Sequence, residues 1–161
     1  MSNDFNLGLL LYIPYRAMEV QVFADLAGAG FDDITHAQAR VFQRIGPSGS
    51  RLTELAEAAQ VTKQTAGFLV DQLEAAGYVR RVPDPTDGRA RLVTFAPRGR
   101  KAVAVAAKTV ARVEREWTAH LGARRVQQLR DALSLLCEIT DPYAEAGRSP
   151  TSPSTSRRAR G

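Results

Sequence analysis

With 161 residues, 44% of them hydrophobic and 24% charged, the chain has the length and composition of one globular domain, too short for a two-domain enzyme. Its single cysteine, Cys137, excludes an internal disulfide framework and every multi-cysteine zinc site. The net charge of +5 gathers at the end, where residues 148–161 hold four arginines and no acid, and the remaining excess lies in the middle third; such an excess suits an anionic partner such as nucleic acid, but by itself is more often a solvated surface.

The apolar run 7–13 is too short to span a bilayer and is followed by Pro14, Arg16 and Glu19. With no basic segment before it and no small-residue cleavage site, the expectation is a cytoplasmic chain without signal peptide or membrane anchor. Residues 5–27 read as an apolar-rich helix with a kink or restart at Pro14, followed by Gly28 and Gly30. Thr35 with Gln38 is a capping box that opens a second helix, to about residue 45. Gly46, Pro47, Ser48, Gly49 and Ser50 form a loop, LTELAEAA at 52–59 a third short helix, and Thr62 caps a fourth that Gly77 stops. The period then changes from helical to extended. Residues 78–82 and 91–95 make two short strands around PDPTDGRA, a hairpin with a protruding loop. Pro97 suits the first turn of a long helix to residue 121, whose Val103, Ala106, Val110, Val113, Trp117 and Leu121 form one apolar stripe. After Gly122 a last helix repeats the pattern with Val126, Leu129, Leu133, Leu136 and Thr140. Both stripes need a partner surface. Residues 149–161, SPTSPSTSRRARG, have no large apolar side chain and read as a disordered tail.

A short helix, a tight turn, a second helix and a two-stranded hairpin together have the layout of a winged helix-turn-helix. Leu55, Ala56, Val61, Ala66, Leu69, Val70 and Leu73 are spaced to pack the third helix across the fourth. The opposite face then offers Lys63, Gln64, Thr65 and Gly67 at the start of the fourth helix. A major groove admits a helix, and glutamine can pair with adenine and lysine with guanine through base edges. The backbone amides there, with Thr62, suit a phosphate. A two-helix packing element with a solvated polar end fits the same pattern.

The hairpin adds the more specific signal. The run DPTDGR at 84–89, followed by RLVTFAPRG, and the helical pair LTELAEAA and VTKQTAGFLVDQLEAAGYVRR resemble the wing and helix-turn-helix of the MarR family of bacterial transcriptional regulators. That resemblance covers residues 52–99 closely and 7–136 more loosely. It implies a mainly α fold with a small β-hairpin wing and an intertwined α-helical dimerisation region, the first and last helices of two chains interleaving. It further implies that Arg89 enters a minor groove while Asp84 or Asp87 braces it, with Arg91 beside it on the strand; an arginine on a narrow hairpin matches the negative potential of a narrowed minor groove. An exposed Arg89 paired with Asp87 in the turn is the plainer alternative. The expected division is 1–46 for N-terminal dimerisation and scaffold helices, 47–97 for the DNA-binding lobe, 98–141 for C-terminal dimerisation helices, and 148–161 for the tail.

The sequence departs from the family's pattern in three places. Phe68 stands where many relatives carry a polar or basic recognition residue, so either it contacts thymine methyl groups or the helix is rotated and Phe68 packs inward. Gly67 costs a helix interior about 1 kcal/mol relative to alanine, which suggests a close backbone approach such as to DNA, or drift. Cys137, on the apolar side of the last helix, is expected to be buried packing and not a redox sensor. Family resemblance also implies a cleft for a small aromatic or anionic effector; Tyr12, Tyr15, Arg16 and Phe42 could line it, although such a face also suits plain core. His36 and His120 lack a second ligand at metal spacing, and no nucleophile elbow, P-loop or dinucleotide fingerprint is present. The expectation is a non-enzymatic, cofactor-free and metal-free homodimeric regulator, a repressor on a pseudo-palindromic stretch of double-stranded DNA, away from membranes. A winged-helix protein-interaction module without DNA binding is the alternative.

Overall fold

A computed structural model describes residues 4–141; the Arg-, Ser- and Pro-rich tail lies outside the described residues. Helix α1 (Leu7–Gly28) opens where the Asn6 side chain accepts from the Leu9 amide at 2.9 Å. Pro14 stands inside α1 without ending it, so the expected restart does not occur. The ring removes one amide donor, and the carbonyl it deprives belongs to Leu10, an exposed residue that solvent can satisfy.

Helix α2 (His36–Phe42) begins with the expected capping box: Gln38 N donates to Thr35 Oγ1 at 3.2 Å and Thr35 N to Gln38 Oε1 at 2.9 Å. It ends three residues earlier than the pattern suggested, closing in turns where Arg44 N donates to the Val41 carbonyl at 3.0 Å and Ile45 N to the Phe42 carbonyl at 3.3 Å. Helices α3 (Leu52–Ala58) and α4 (Lys63–Ala75) follow. Both end in the same left-handed motif, with Val61 N donating to the Ala56 carbonyl and Tyr78 N to the Leu73 carbonyl, each at 2.9 Å. In α4 the left-handed residue is Gly77 at φ 80°; in α3 it is Gln60 at φ 56°, where glycine is the usual choice.

Strands β1 (Val79–Asp84) and β2 (Asp87–Phe95) pair antiparallel. Of the expected loop at 83–90, only Pro83, Asp84 and Asp87 pair across the hairpin. Register steps from Pro83↔Arg91 to Asp84↔Asp87, so Pro85 and Thr86 make the turn, and residues 88–90 loop out as a bulge. Ser50 adds a bridge the sequence did not signal, exchanging backbone bonds with Val93 at 3.0 and 2.8 Å. That ties the loop before α3 to the wing.

Helix α5 (Pro97–Leu121) leads away from the wing, and α6 (Ala123–Thr140) returns along it after Gly122. The core lies under α2, α3, α4 and the wing, centred on Val41, Leu55, Val70, Leu73, Tyr78 and Val93. Helix α5 meets α1 through a buried face that includes Thr109 and Val113, and Asp25 of α1 takes bonds from Thr109 Oγ1 at 2.6 Å and Arg112 Nη2 at 2.7 Å. The expected stripes are only partly covered by the described residues of the single chain. On α5 only Val113 of the six is fully buried and Trp117 is half-buried; α6 has no buried residue, with Leu129, Leu136 and Ile139 exposed. Cys137 is exposed as well, against the expectation of burial, because no described residue packs over the face of α6 it occupies. No described helix is long and apolar enough to cross a membrane.

Candidate nucleic-acid interface

Helix α4 buries Ala66, Leu69, Val70 and Leu73 against the lobe. At 3.6 residues per turn, the residues opposite are Gln64, Phe68 and Asp71. Thr62 caps the helix, accepting from Thr65 N at 3.1 Å, and Lys63, Gln64 and Thr65 are all exposed beside it. Phe68 is 62% exposed, which removes the inward-packing alternative. Gly67 is half-buried, and a Cβ added there would meet only Leu52 Cδ2 at 3.6 Å, an ordinary contact. The acids on this helix are held from the side: Arg81 of β1 donates to Asp71 at 2.7 Å and to Glu74 at 2.5 Å. Their charge is thereby offset beside the face that would meet phosphate.

The wing is fixed by a carboxylate. Asp84 is buried and accepts from Thr86 Oγ1 at 2.7 Å, Thr86 N at 2.8 Å and Arg51 Nε at 2.8 Å, and these bonds hold its pKa at about 2. Arg51, the N-cap residue of α3, thus joins the helix-turn-helix to the hairpin; the sequence reading missed it. Asp87 accepts from Arg89 N at 3.1 Å and lies 3.9 Å from Arg51. The Arg89 guanidinium is exposed and has no partner among the described residues, whereas Arg91 Nη2 reaches the Arg81 carbonyl at 3.5 Å. Neither Asp84 nor Asp87 touches the Arg89 side chain. Both shape the turn that carries it.

A cavity of about 880 Å3 opens between α1, α2 and α5, and Tyr12, Tyr15, Arg16 and Phe42 all line it. Its wall also includes Glu19 and His36, which sequence reading did not place there. Glu19 receives Arg16, Tyr15 OH at 3.3 Å and His36 Nδ1 at 3.4 Å, while the His36 ring lies on Phe23 with centroids 4.0 Å apart. Burial pushes the Glu19 carboxyl up, but the Arg16 and His36 bonds outweigh it and leave the pKa below the ordinary value. The signal for Glu19 was present as the i, i+3 and i, i+4 spacings from Arg16 and Tyr15. On its other side α2 carries Gln38, a buried residue whose Nε2 donates to Gln72 Oε1 of α4 at 3.1 Å. One short helix therefore forms cavity wall and touches the helix that bears Gln64.

Among known proteins, a model described as MarR family matches residues 32–90, from just before α2 into the wing bulge. A MarR family protein of Mycobacterium tuberculosis, solved in complex with salicylic acid, is 30% identical, with 84% of this chain and 99% of that one covered and a TM-score of 0.56. The crystal structure of MarR matches at 26% identity over 87% of this chain and 94% of that one, with a TM-score of 0.70. A mutant of MepR from S. aureus, bound to an oligodeoxyribonucleotide, shares the fold at 20% identity, with 86% of this chain and 100% of that one covered and a TM-score of 0.53. No curated protein matches the chain. Identity at this level over the whole of a solved relative, on the same helices and the same wing, places the chain in the MarR family of winged-helix transcriptional regulators.

Proposed function

We propose that the chain is a homodimeric, ligand-responsive repressor that binds a pseudo-palindromic operator. The observation that carries the reading is the pairing of two exposed elements on one rigid lobe: the start of α4, with Lys63, Gln64 and Thr65, and the bulge bearing the unpaired Arg89, held beside it by Arg51 and Asp84. In this reading α4 enters a major groove, Thr62 and the helix amides hold a phosphate, Gln64 reads a base edge, and Arg89, with Arg91 behind it, follows a minor groove. The partly covered stripes on α5 and α6 support a second copy, and two-fold symmetry then sets the recognition helices about 10 base pairs apart.

The cavity supports an effector. Its size falls within the range of small-molecule sites, and two tyrosines, Phe42 and Arg16 suit a small aromatic or anionic ligand. Occupancy would displace α2 and, through Gln38 and Gln72, the helix that meets DNA. Selection of bound duplexes from a random pool tests the reading, followed by titration of the enriched duplex with and without salicylate as a probe ligand. Enrichment of an inverted repeat is the expected result. If no duplex is enriched, DNA binding is lost from the reading, and a protein partner for the same surface becomes the better account.

A further inference from the structure

The outward face of α4 holds two features that the fold does not require. Phe68 is the one exposed large apolar residue between Val20 and Val103 among the described residues; the others are Phe5, just before α1, and residues of α1, α5 and α6. Gly67 beside it has no positive φ and no close neighbour that alanine would strike, so the chain's own packing does not call for glycine there. Phe68 sits one turn after Gln64, at the centre of the face opposite the buried Leu69, Val70 and Leu73. Beyond Phe68 along the helix, the polar side chains are engaged within the lobe: Asp71 with Arg81 and Gln72 with Gln38.

Thymine is the base whose major-groove edge presents a methyl group, and apolar side chains recognise it by contact. An uncovered phenyl ring at the middle of a groove-facing helix has that chemistry. We propose that Phe68 is a specificity-determining residue that reads the 5-methyl group of a thymine in each half-site. This inference rests on the DNA-binding reading above. The four residues from Gln64 to Phe68 rise about 6 Å, against about 3.4 Å per base-pair step, so the thymine lies within about two base pairs of the base read by Gln64.

The test uses the full chain and the duplex it enriches from a random pool, with each symmetric pair of thymines replaced in turn by deoxyuridine, which differs only by the missing methyl. Removing one buried methyl weakens binding about fourfold, and a symmetric pair about sixteenfold. One pair of positions should show that loss with the wild-type chain. Phe68→Ala should bind the thymine and deoxyuridine duplexes equally, and Phe68→Leu should retain part of the preference. Because Phe68 is exposed, its truncation should leave the melting temperature unchanged, which separates a lost contact from a lost fold. A wild-type chain indifferent to deoxyuridine at every position overturns the inference and leaves the regulator reading standing. Methyl sensitivity that survives undiminished in Phe68→Ala also overturns it, assigning the contact to another residue. Failure to bind any duplex overturns both.

Discussion

Replacing Gly99 with alanine is expected to loosen the junction between the wing and α5. A Cβ at this position would lie 2.0 Å from the Tyr78 carbonyl oxygen and 3.3 Å from Phe42 Cε2. The oxygen is a backbone atom that already accepts from Ala96 N at 2.9 Å, so it cannot swing aside as a side-chain end can. Relief requires α5 to move outward by about 1 Å or more, and α5 carries Ala102 into the core and Arg98 onto Asp33. Overpacking typically costs about 1 to 3 kcal/mol, and a backbone obstacle favours the upper end. Alanine's better helix propensity offsets about 1 kcal/mol, leaving a net loss of about 2 kcal/mol. For a chain of this length that lowers the melting temperature by about 4 to 8 °C. Gly67→Ala, also inside a helix, has the opposite sign: its Cβ meets only Leu52 at 3.6 Å, so the propensity gain of about 1 kcal/mol survives and the melting temperature rises by about 2 to 4 °C. Both variants should be melted at one fixed protein concentration, since a dimer's midpoint depends on it. A Gly99→Ala chain as stable as wild type would refute the packing argument, as would a destabilised Gly67→Ala.

Burial and the hydrogen bond to Asp33 push the Tyr78 hydroxyl up to about 12. Since the unfolded side chain titrates near 10, its stabilisation is complete below about pH 10 and is lost as pH rises toward 12; urea midpoints over that range should fall less steeply in Tyr78→Phe, and equal slopes would count against this assignment. Gln64→Ala should relax preference at one symmetric pair of operator positions and leave the others intact, whereas Arg89→Ala should weaken binding to every sequence and lower the salt slope by about 1 per wing. A panel of single-substitution duplexes at several salt concentrations reads both, and an unchanged slope in Arg89→Ala would remove the wing from the interface. Trp117, half-buried in the single chain, is expected to complete its burial against a second copy. Truncating a buried aromatic costs about 3 to 5 kcal/mol, so Trp117→Ala should shift sedimentation toward monomer, and an unaltered dimer would place Trp117 outside the interface.

Features carried by neighbours along the chain were legible in the sequence. The Thr35 capping box, the Thr62 cap, the stop at Gly77 and the start of α5 at Pro97 each depend on residues within one helical turn, where backbone geometry leaves few alternatives. The exposed start of α4 followed from the 3.6-residue period of its buried side. The restart that the same local rule offered at Pro14 did not occur, because whether a missing amide ends a helix depends on what surrounds the deprived carbonyl.

Contacts between residues distant in the chain were decided only by the tertiary structure. Arg51 and Asp84 are 33 residues apart, and nothing in either local pattern selects one arginine for one aspartate. Ser50 joins the wing through backbone atoms, which carry no residue code. The left-handed turn after α3 falls on Gln60, where a local reading looks for glycine, because the Val61 bond to Ala56 and the burial of Leu55 and Ala56 hold the turn in place. Nothing in the local sequence pairs His36 with Glu19, which α1 and α2 bring to one wall. Gly67 and Gly99 look alike in sequence, each a glycine within a helix, and only the distance to the Tyr78 carbonyl distinguishes the one that must be glycine. Secondary structure is a property of sequential dihedrals, whereas a side chain's partner is set by how the elements pack against one another.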